Sequence, residues 1–508
     1  MSYHDLLREV RERGLRLTVS GSDLRLQGPP QRIDPGLIGR IKAVKAELIS
    51  HLAQESPDAG YPLTLLQRGF LIGRGDAVEM GNVASHIYHE IDGCWDLDRL
   101  ESALRSVPAR HGALRTRFTA DGRQVTEPGT VLVLGRLDLR GQPEASQRAR
   151  LSELRQQRSH RILPADRAPL LAADVTLLAD DRMRLHVGHD GLVMDGISMF
   201  LFFADWWRAY QGEAAPDEAE VSFADYVTAL GAMHDKPPRQ RSRAYWLDRL
   251  PDLPPHPGLP LAASPATITT PRFDQYAARL DPEAWSAVKA RAAGAGLTPT
   301  GLLLAAYAQA LACWGAGRRF TLASTVASRP PIHPRIADAI GNFSETLLVE
   351  IDLDPRQTFT ERALALQARL RRDLDHRHFS GIEVLRELAR RDPGTDARMP
   401  YTFNSAVGYL RADVDGSALE LFGPEVYTSS QTPQVWLNGF AFEQHGGVVV
   451  QADAVRGLFP DGLIRDLMRG YQSLLDRLAE ASTEASTEAG AWSATTFDLL
   501  PAEQRARR

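Results

Sequence analysis

Cysteine is almost missing from this sequence: Cys94 and Cys313 are the only two in 508 residues, far apart in the chain. That excludes a disulfide scaffold and a zinc site built on several thiolates, and it suits a reducing compartment, so a cytoplasmic location is expected. Long apolar runs are missing too. The longest, Gly301–Trp314, has about 14 residues where roughly 20 are needed to span a bilayer. It is expected as a buried helix, and no membrane partner is expected. Asp5, Arg8 and Glu9 interrupt any apolar stretch after Met1, so no signal peptide is read. Neither sign of charge dominates: 59 Lys+Arg against 64 Asp+Glu leave a formal −5, which offers nucleic acid no general attraction. A G-x-S-x-G elbow, a P-loop and a G-x-G-x-x-G opening a helix are all absent, which removes the usual supports for a serine hydrolase, an NTPase or a dinucleotide enzyme.

What is present is ordinary for a folded protein: 43% hydrophobic and 24% charged residues. At roughly 100–200 residues per domain the length corresponds to two to four domains. Residues 1–52 read as a separate small unit. Leu6, Leu7 and Val10 share a helical face, Gly14 stops it, and alternating segments Leu15–Val19 and Leu24–Gln27 flank a turn at Gly21-Ser22-Asp23. Asp34-Pro35 then caps and opens a second helix carrying Leu37, Ile38, Ile41, Val44, Leu48 and Ile49. Residues 1–56 hold nine Lys/Arg and seven Asp/Glu, a mildly basic balance that leaves open a packed subdomain or an adaptor tethered through a linker at 53–60.

The body mixes strand-like runs (Ala84–Ile91, Val131–Leu134, Arg184–Gly188, Arg319–Thr325, Thr346–Ile351, Gly446–Gln451) with helical patterns such as Trp285–Ala295 and Thr298–Trp314, an α/β or α+β pattern. A proline-rich segment at 251–265 divides it into two expected lobes, 61–250 and 266–480, with a cleft between them. The repeat of small and acidic residues after Ala479 reads as a linker over 481–508.

Two clusters could carry chemistry. In Arg184–Ser198 a strand runs into a glycine-rich turn and an apolar helix. His186 and His189 are three apart on a strand and so face opposite sides, with no third ligand nearby, and no metal is expected. Asp190 and Asp195 fit either a paired acid and base or a structural clamp, and Ser198 either a nucleophile or a capping residue. The second cluster is Tyr427–Val435 with Asp453 downstream. There hydroxyls and amides could position a carbonyl and a carboxylate could move protons, although Ser and Thr before Pro433 also suit a solvated turn.

The ordered motifs Tyr61-Pro-Leu-Thr-Leu-Leu-Gln67 with Gly73-Arg74, Arg110-His111-Gly-Ala-Leu-Arg115, Asp190-Gly-Leu-Val-Met-Asp195-Gly-Ile-Ser198, Leu250–Leu261, Gly341-Asn-Phe-Ser344, Pro400–Ser405 and Gln431-Thr-Pro-Gln-Val435 resemble a nonribosomal peptide synthetase heterocyclization domain over about 61–480. Condensation domains of the same superfamily carry a double histidine before Asp-Gly, and the second His position is Gly191 here; the D-x-x-x-x-D-x-x-S form resembles the heterocyclization branch. Residues 1–52 resemble the αββα (TubC-type) docking domain of synthetase subunits.

This resemblance implies a two-lobed, chloramphenicol-acetyltransferase-like V-shaped pseudo-dimer with a central tunnel, preceded by the docking unit. The implied reaction joins an upstream carrier-bound acyl thioester to carrier-bound Cys, Ser or Thr, then closes a thiazoline or oxazoline with loss of water. It places Thr432, Asp453, Asp190, Asp195 and Ser198 in the catalytic site, with dehydration assigned to Thr432 and Asp453 and tunnel organisation to Asp190 and Asp195, Asp190 through an Arg such as Arg335 or Arg329. Gln431, Gln434, Asn342, Ser328 and Asn438 are the implied tunnel residues. Arg16, Leu24, Arg25 and Leu26 are implied to dock the C-terminal tail of an upstream megasynthase subunit. No cofactor is implied on this chain; substrates ride on the phosphopantetheine of upstream and downstream carrier proteins. The ending resembles the approach to an adenylation domain. Asn342, Asn404 and Asn438, Ala452 in place of Trp before Asp453, and Ser328 where a related pattern has Asn before Arg depart from the family pattern, which implies that condensation survives while cyclodehydration is impaired or altered. Two alternatives stay open: a condensing relative that forms only the amide, and a noncatalytic scaffold for carriers.

Overall fold

The computed structural model describes residues 6–500 apart from 7–8, 11–12, 14, 21–22, 46–47, 49–59, 214–220, 409–416 and 481–489. The expected linker at 53–59, Leu7, Gly14, Ile49, the repeat at 481–489 and the terminal 501–508 lie outside the described residues. Near the start, β1 (Arg16–Ser20) and β2 (Asp23–Gln27) form an antiparallel ribbon with Leu17 opposite Leu26. Helix α1 (Pro35–Ala43) opens as its sequence requires, with Pro35 in the first turn and Asp34 Oδ1 accepting from Leu37 N (2.7 Å). Leu6, Val10, Leu15, Leu17, Leu37, Ile41 and Leu48 form a core of their own.

Helix α2 (Leu65–Gly73) is set by a capping box of Thr64 and Gln67. Gln67 is spent twice over, since its Nε2 also donates to Leu192 O (2.7 Å), which pins this helix to the turn after the next sheet. That sheet contains β3 (His86–Gly93), β4 (Leu134–Asp138), β5 (Leu171–Ala179) and β6 (Arg182–Asp190), with α3 (Leu97–Arg110) and α4 (Glu144–Arg158) between them. Helix α5 (Gly196–Gln211) follows β6 directly and lays Phe202, Phe203 and Trp206 into the sheet's core. The strand expected at Val131–Leu134 begins only at Leu134, where parallel pairing with Ala173 starts; Val131 and Val133 have no partner strand and stay exposed.

Helices α6 (Phe223–Ala232) and α7 (Pro237–Arg249) lead to the second sheet. Its strands are β7 (Phe273–Leu280), β8 (Arg319–Ala327), β9 (Ser344–Asp352), β10 (Tyr401–Ser405), β12 (Leu437–Gln444) and β13 (Gly447–Val455), in the order β7-β13-β12-β10-β8-β9. Helices α8 (Pro282–Gly294), α9 (Pro299–Leu311), α10 (Phe359–Asp375), α11 (Gly381–Arg391) and α12 (Leu463–Ala479) complete this lobe. Every residue of α9 from Gly301 on is buried, so the longest apolar run serves a protein core. Its regular part ends at Leu311, short of Trp314, where a π turn with Gly315 at φ 108° takes over. Among the described residues no single helix is long and apolar enough to cross a membrane.

The lobes interleave more than the proline-rich divide implies. Trp246 and Leu250 already belong to the second lobe's core, whereas Ile336, Ile340, Phe343 and Phe422 pack into the first. Strand β11 (Glu425–Gln431), late in the chain, pairs antiparallel with β3 and completes the first sheet as β11-β3-β6-β5-β4. The Ser/Thr run before Pro433 is therefore mostly a strand and not a solvated turn. Part of the expected linker is also structured: Phe359 N donates to Ala494 O (2.9 Å), Trp492 Nε1 donates to Leu478 O (3.0 Å), and Leu499 is buried against the second core.

Candidate active site

Period-2 alternation sets the geometry around Asp453. On β13, Asp453 stands opposite Asn438 of β12 on one side and Gln275 of β7 on the other, and directly opposed residues share a sheet face. Gln451, two residues earlier on the same strand, shares it as well. The Asp453 carboxylate is 1% exposed. Ser430 Oγ donates to its Oδ2 (2.8 Å), Gln451 Nε2 lies 3.1 Å from both oxygens, and Asn438 Nδ2 lies 3.4 Å from Oδ2. Burial outweighs these donors and pushes the carboxyl up to about 6, so near neutrality it can both take and give a proton.

The Asn substitutions acquire a physical reason here. Asn438 Oδ1 accepts from Thr402 Oγ1 (2.6 Å) and Asn404 Nδ2 (2.9 Å), while Asn404 Oδ1 accepts from Thr325 N (2.6 Å). An amide at 438 can accept on one side and donate toward Asp453 on the other. A carboxylate there would put two like charges together and leave one of them protonated.

The expected dehydration and tunnel residues are not all in this place. Thr432 is half-buried in the turn after β11 and makes no side-chain hydrogen bond to Asp453; the hydroxyl that does is Ser430. Gln431 is buried, in register with His86. Gln434 is exposed, at φ 65°, with Nε2 donating to Glu79 O (2.6 Å), so it braces a loop and does not face Asp453. Ser328 N donates to Phe343 O (2.8 Å) at the entry to β9.

The Asp190–Ser198 turn is a clamp between lobes. Asp190 is fully buried and pairs with Arg74, not with Arg335 or Arg329, and its Oδ1 accepts from Leu192 N (2.9 Å). Arg335 pairs with Asp338 instead. Burial raises Asp190 to about 6 against the pull of Arg74. Asp195 caps α5 by accepting from Ser198 N (2.8 Å), and its second oxygen accepts from Phe343 N (2.9 Å). Arg329 reaches Asp195 (3.4 Å) and Ser198 Oγ (2.9 Å). Ser198 Oγ donates to Gly341 O (2.8 Å) and accepts from Gly341 N (3.1 Å), a saturated hydroxyl with no freedom to attack. Asn342 joins the clamp by donating to Gly191 O. At Gly191 itself a Cβ would come within 2.3 Å of Ser85 Oγ, so no imidazole fits.

His186 is held by Tyr88 OH (2.7 Å) and Thr176 Oγ1 (3.0 Å), and His189 stacks near His89 on the other face, both kept neutral by burial. The residues that sequence reasoning missed had signals of different strength. Gln451 is readable from strand period, and Arg74 sits inside a quoted motif. Ser430 and Gln275 depend on pairings across the chain that no local pattern carries.

Comparison with known proteins follows the same outline. The Condensation domain family matches residues 58–496, and the TubC N-terminal docking domain matches residues 4–54. Pyochelin synthetase PchF of Pseudomonas aeruginosa is 36% identical over 501 residues, covering 95% of this chain and 27% of that protein. Phenyloxazoline synthase MbtB of Mycobacterium tuberculosis is 35% identical over 472 residues, 92% of this chain and 32% of that protein. The chain thus spans about a quarter to a third of these curated relatives. The crystal structure of the EpoB cyclization-docking bidomain from Sorangium cellulosum superposes with a TM-score of 0.78 at 35% identity, covering 96% of this chain and 99% of that one.

Proposed function

Because this chain belongs to the cyclization-docking bidomains of nonribosomal peptide synthetases, within the condensation-domain family, we propose that it joins two carrier-bound substrates and then cyclodehydrates the product. The donor is an acyl thioester on an upstream carrier; the acceptor is Cys, Ser or Thr on a downstream carrier. The acceptor amine attacks the thioester carbonyl, the C–S bond breaks, and the upstream phosphopantetheine leaves as a thiol. Gly191 brings no base to this step, so its acceleration rests on holding the two arms together, an effect worth roughly 7–11 kcal/mol at best.

In the second step the acceptor's thiol or hydroxyl adds to the new amide carbon, and its proton passes to the former carbonyl oxygen. Elimination then removes the N–H proton and expels that oxygen as water, leaving a C=N bond. The observation that carries this reading is Asp453, a buried carboxyl raised to about 6 with the half-buried Ser430 hydroxyl 2.8 Å away. Asp453 accepts the N–H proton and returns one to the departing oxygen, and Ser430 is the hydroxyl through which it reaches the substrate. Asp190, Asp195 and Ser198 position the lobes and carry no proton in the reaction.

The N-terminal unit is proposed to hold the C-terminal tail of an upstream subunit. Its ribbon has two strands, so among the described residues β2 has an unfilled outer edge, with Leu24 and Leu26 half-buried beside it and Arg25 exposed. A third strand added there gains main-chain bonds, and Arg25 favours an acidic tail, while the expected docking side chain of Arg16 lies outside the described residues. The test is intact mass spectrometry of the downstream carrier after reaction with an acyl-loaded upstream carrier. A product one water lighter than the linear amide supports ring formation; linear amide alone rejects it.

A further inference from the structure

The row of residues across the Asp453 strand contains one polar group that neither the chain nor the reading above employs. Gln275 on β7 stands directly opposite Asp453, on the other side from Asn438. Its Nε2 is shut off from solvent and has no hydrogen-bond partner. Asp453 does not need it: both carboxylate oxygens are already supplied by Ser430 and Gln451, with Asn438 in reach of one. Beside a carboxylate the N–H end of an amide is favoured over its carbonyl end, so the open position is a donor. A buried donor without an acceptor is retained at a continuing cost to stability, and such groups are few in native proteins. Strand β11, which brings Ser430 onto Asp453, packs over β7 and β13 alike. Gln275, Ser430 and Asp453 therefore share one cover.

We propose that Gln275 is a catalytic residue of the ring-closing step, whose Nε2–H binds the oxygen of the substrate's new amide. The inference rests on the cyclodehydration reading and adds the group that holds the oxygen. As the acceptor's side chain adds to the amide carbon, negative charge grows on that oxygen, and a fixed donor lowers the barrier most where charge develops. The same contact keeps the oxygen next to Ser430 and Asp453, from which it receives the proton that lets it leave as water. Three neighbouring strands then divide the work: β7 holds the oxygen, β13 supplies the carboxyl and β11 the hydroxyl.

The test is single-turnover reaction of the full chain with loaded carriers, reading linear amide and ring product separately by intact mass. Gln275→Met keeps the length and removes the N–H. Its expected result is amide formation within about threefold of wild type, with ring closure slowed on the order of a hundredfold, the range for losing one such donor. Gln275→Glu removes the same N–H donor with a side chain of the same length. A second carboxyl opposite Asp453 displaces the rising limb of the ring-closure profile to higher pH by like-charge repulsion, and above that limb, with no N–H for the oxygen, ring closure stays slowed while amide formation is retained. Ring closure at wild-type rate in Gln275→Met, or equal slowing of both steps, overturns the proposal while leaving the cyclodehydration reading in place. Linear amide as the only product of the wild-type chain overturns both.

Discussion

Replacing Asp453 by Asn preserves the shape of the side chain and removes its titration, and two consequences of opposite sign follow. For catalysis, a positioned acid–base group contributes typically about 10²–10⁴-fold. Asp453→Asn is expected to slow ring closure by that order and to leave amide formation within about threefold. For stability, the carboxyl is raised from an ordinary 3.8 to about 6 by burial. The folded state thus resists ionisation, and the interval amounts to roughly 3 kcal/mol. Well below pH 3.8 the group is neutral in folded and unfolded chains and nothing is lost. As the pH rises from 3.8 to about 6 the unfolded chain ionises while the folded carboxyl stays neutral, so that stability is lost, and the loss is complete once the folded carboxyl carries its buried charge above 6. The variant escapes the cost, so its advantage over wild type grows between pH 4 and pH 7 toward an upper bound of about 3 kcal/mol, reduced by the mismatch of its amide with the Gln451 donor. Paired denaturant titrations at pH 4.5 and 7.5, beside ring-closure rates, read both effects. A stability difference that does not change with pH, or ring closure that survives the substitution, would refute the reasoning. In the wild-type chain ring closure should rise with pH through about 6, and that limb should be missing from Asp453→Asn.

Removing Arg74 as Met strands the buried Asp190 carboxyl and should cost about 3–5 kcal/mol by chemical denaturation, more than Asp190→Asn costs. Ser198→Ala leaves the Gly341 amide and Arg329 short of a partner; about 1–3 kcal/mol of stability should go, with amide and ring yields falling together. Gly191→His should create no catalytic imidazole, because its Cβ meets Ser85; amide formation should not rise, and overpacking should lower the melting temperature. Arg25→Glu should weaken an acidic C-terminal peptide by roughly two- to fivefold at low salt in a fluorescence titration, and the difference should vanish in high salt.

Much of this was open to reading in one dimension because the signals are local. Strand-like apolar runs reveal five strands of the two large sheets, and Asp34-Pro35 opens a helix by rules that refer to neighbouring residues alone. The Asp190–Ser198 turn also stands out, but its partners do not. Arg74 comes from the start of the body and Arg329 from beyond its middle, and nothing in the spacing of charges ranks Arg74 above Arg335. Thr432 and Ser430 differ by two positions on one run, and only the pairing of β11 with β3 decides which hydroxyl meets Asp453. The exposed Val131 and Val133 failed as a strand for the complementary reason: β-branched residues announce a strand only where a neighbour waits to receive it.

Strand β11 has a practical consequence for how this protein can be cut. By position in the chain it belongs to the second lobe, yet it supplies the edge of the first sheet. A fragment ending near residue 250 would expose β3 as a bare edge along most of its length, inviting it to pair with another copy. The reciprocal fragment would carry a seven-residue strand with nothing to join. Expressed apart, the halves should aggregate; expressed together, they should find each other through β3 and β11, as a split protein reassembles around a shared sheet.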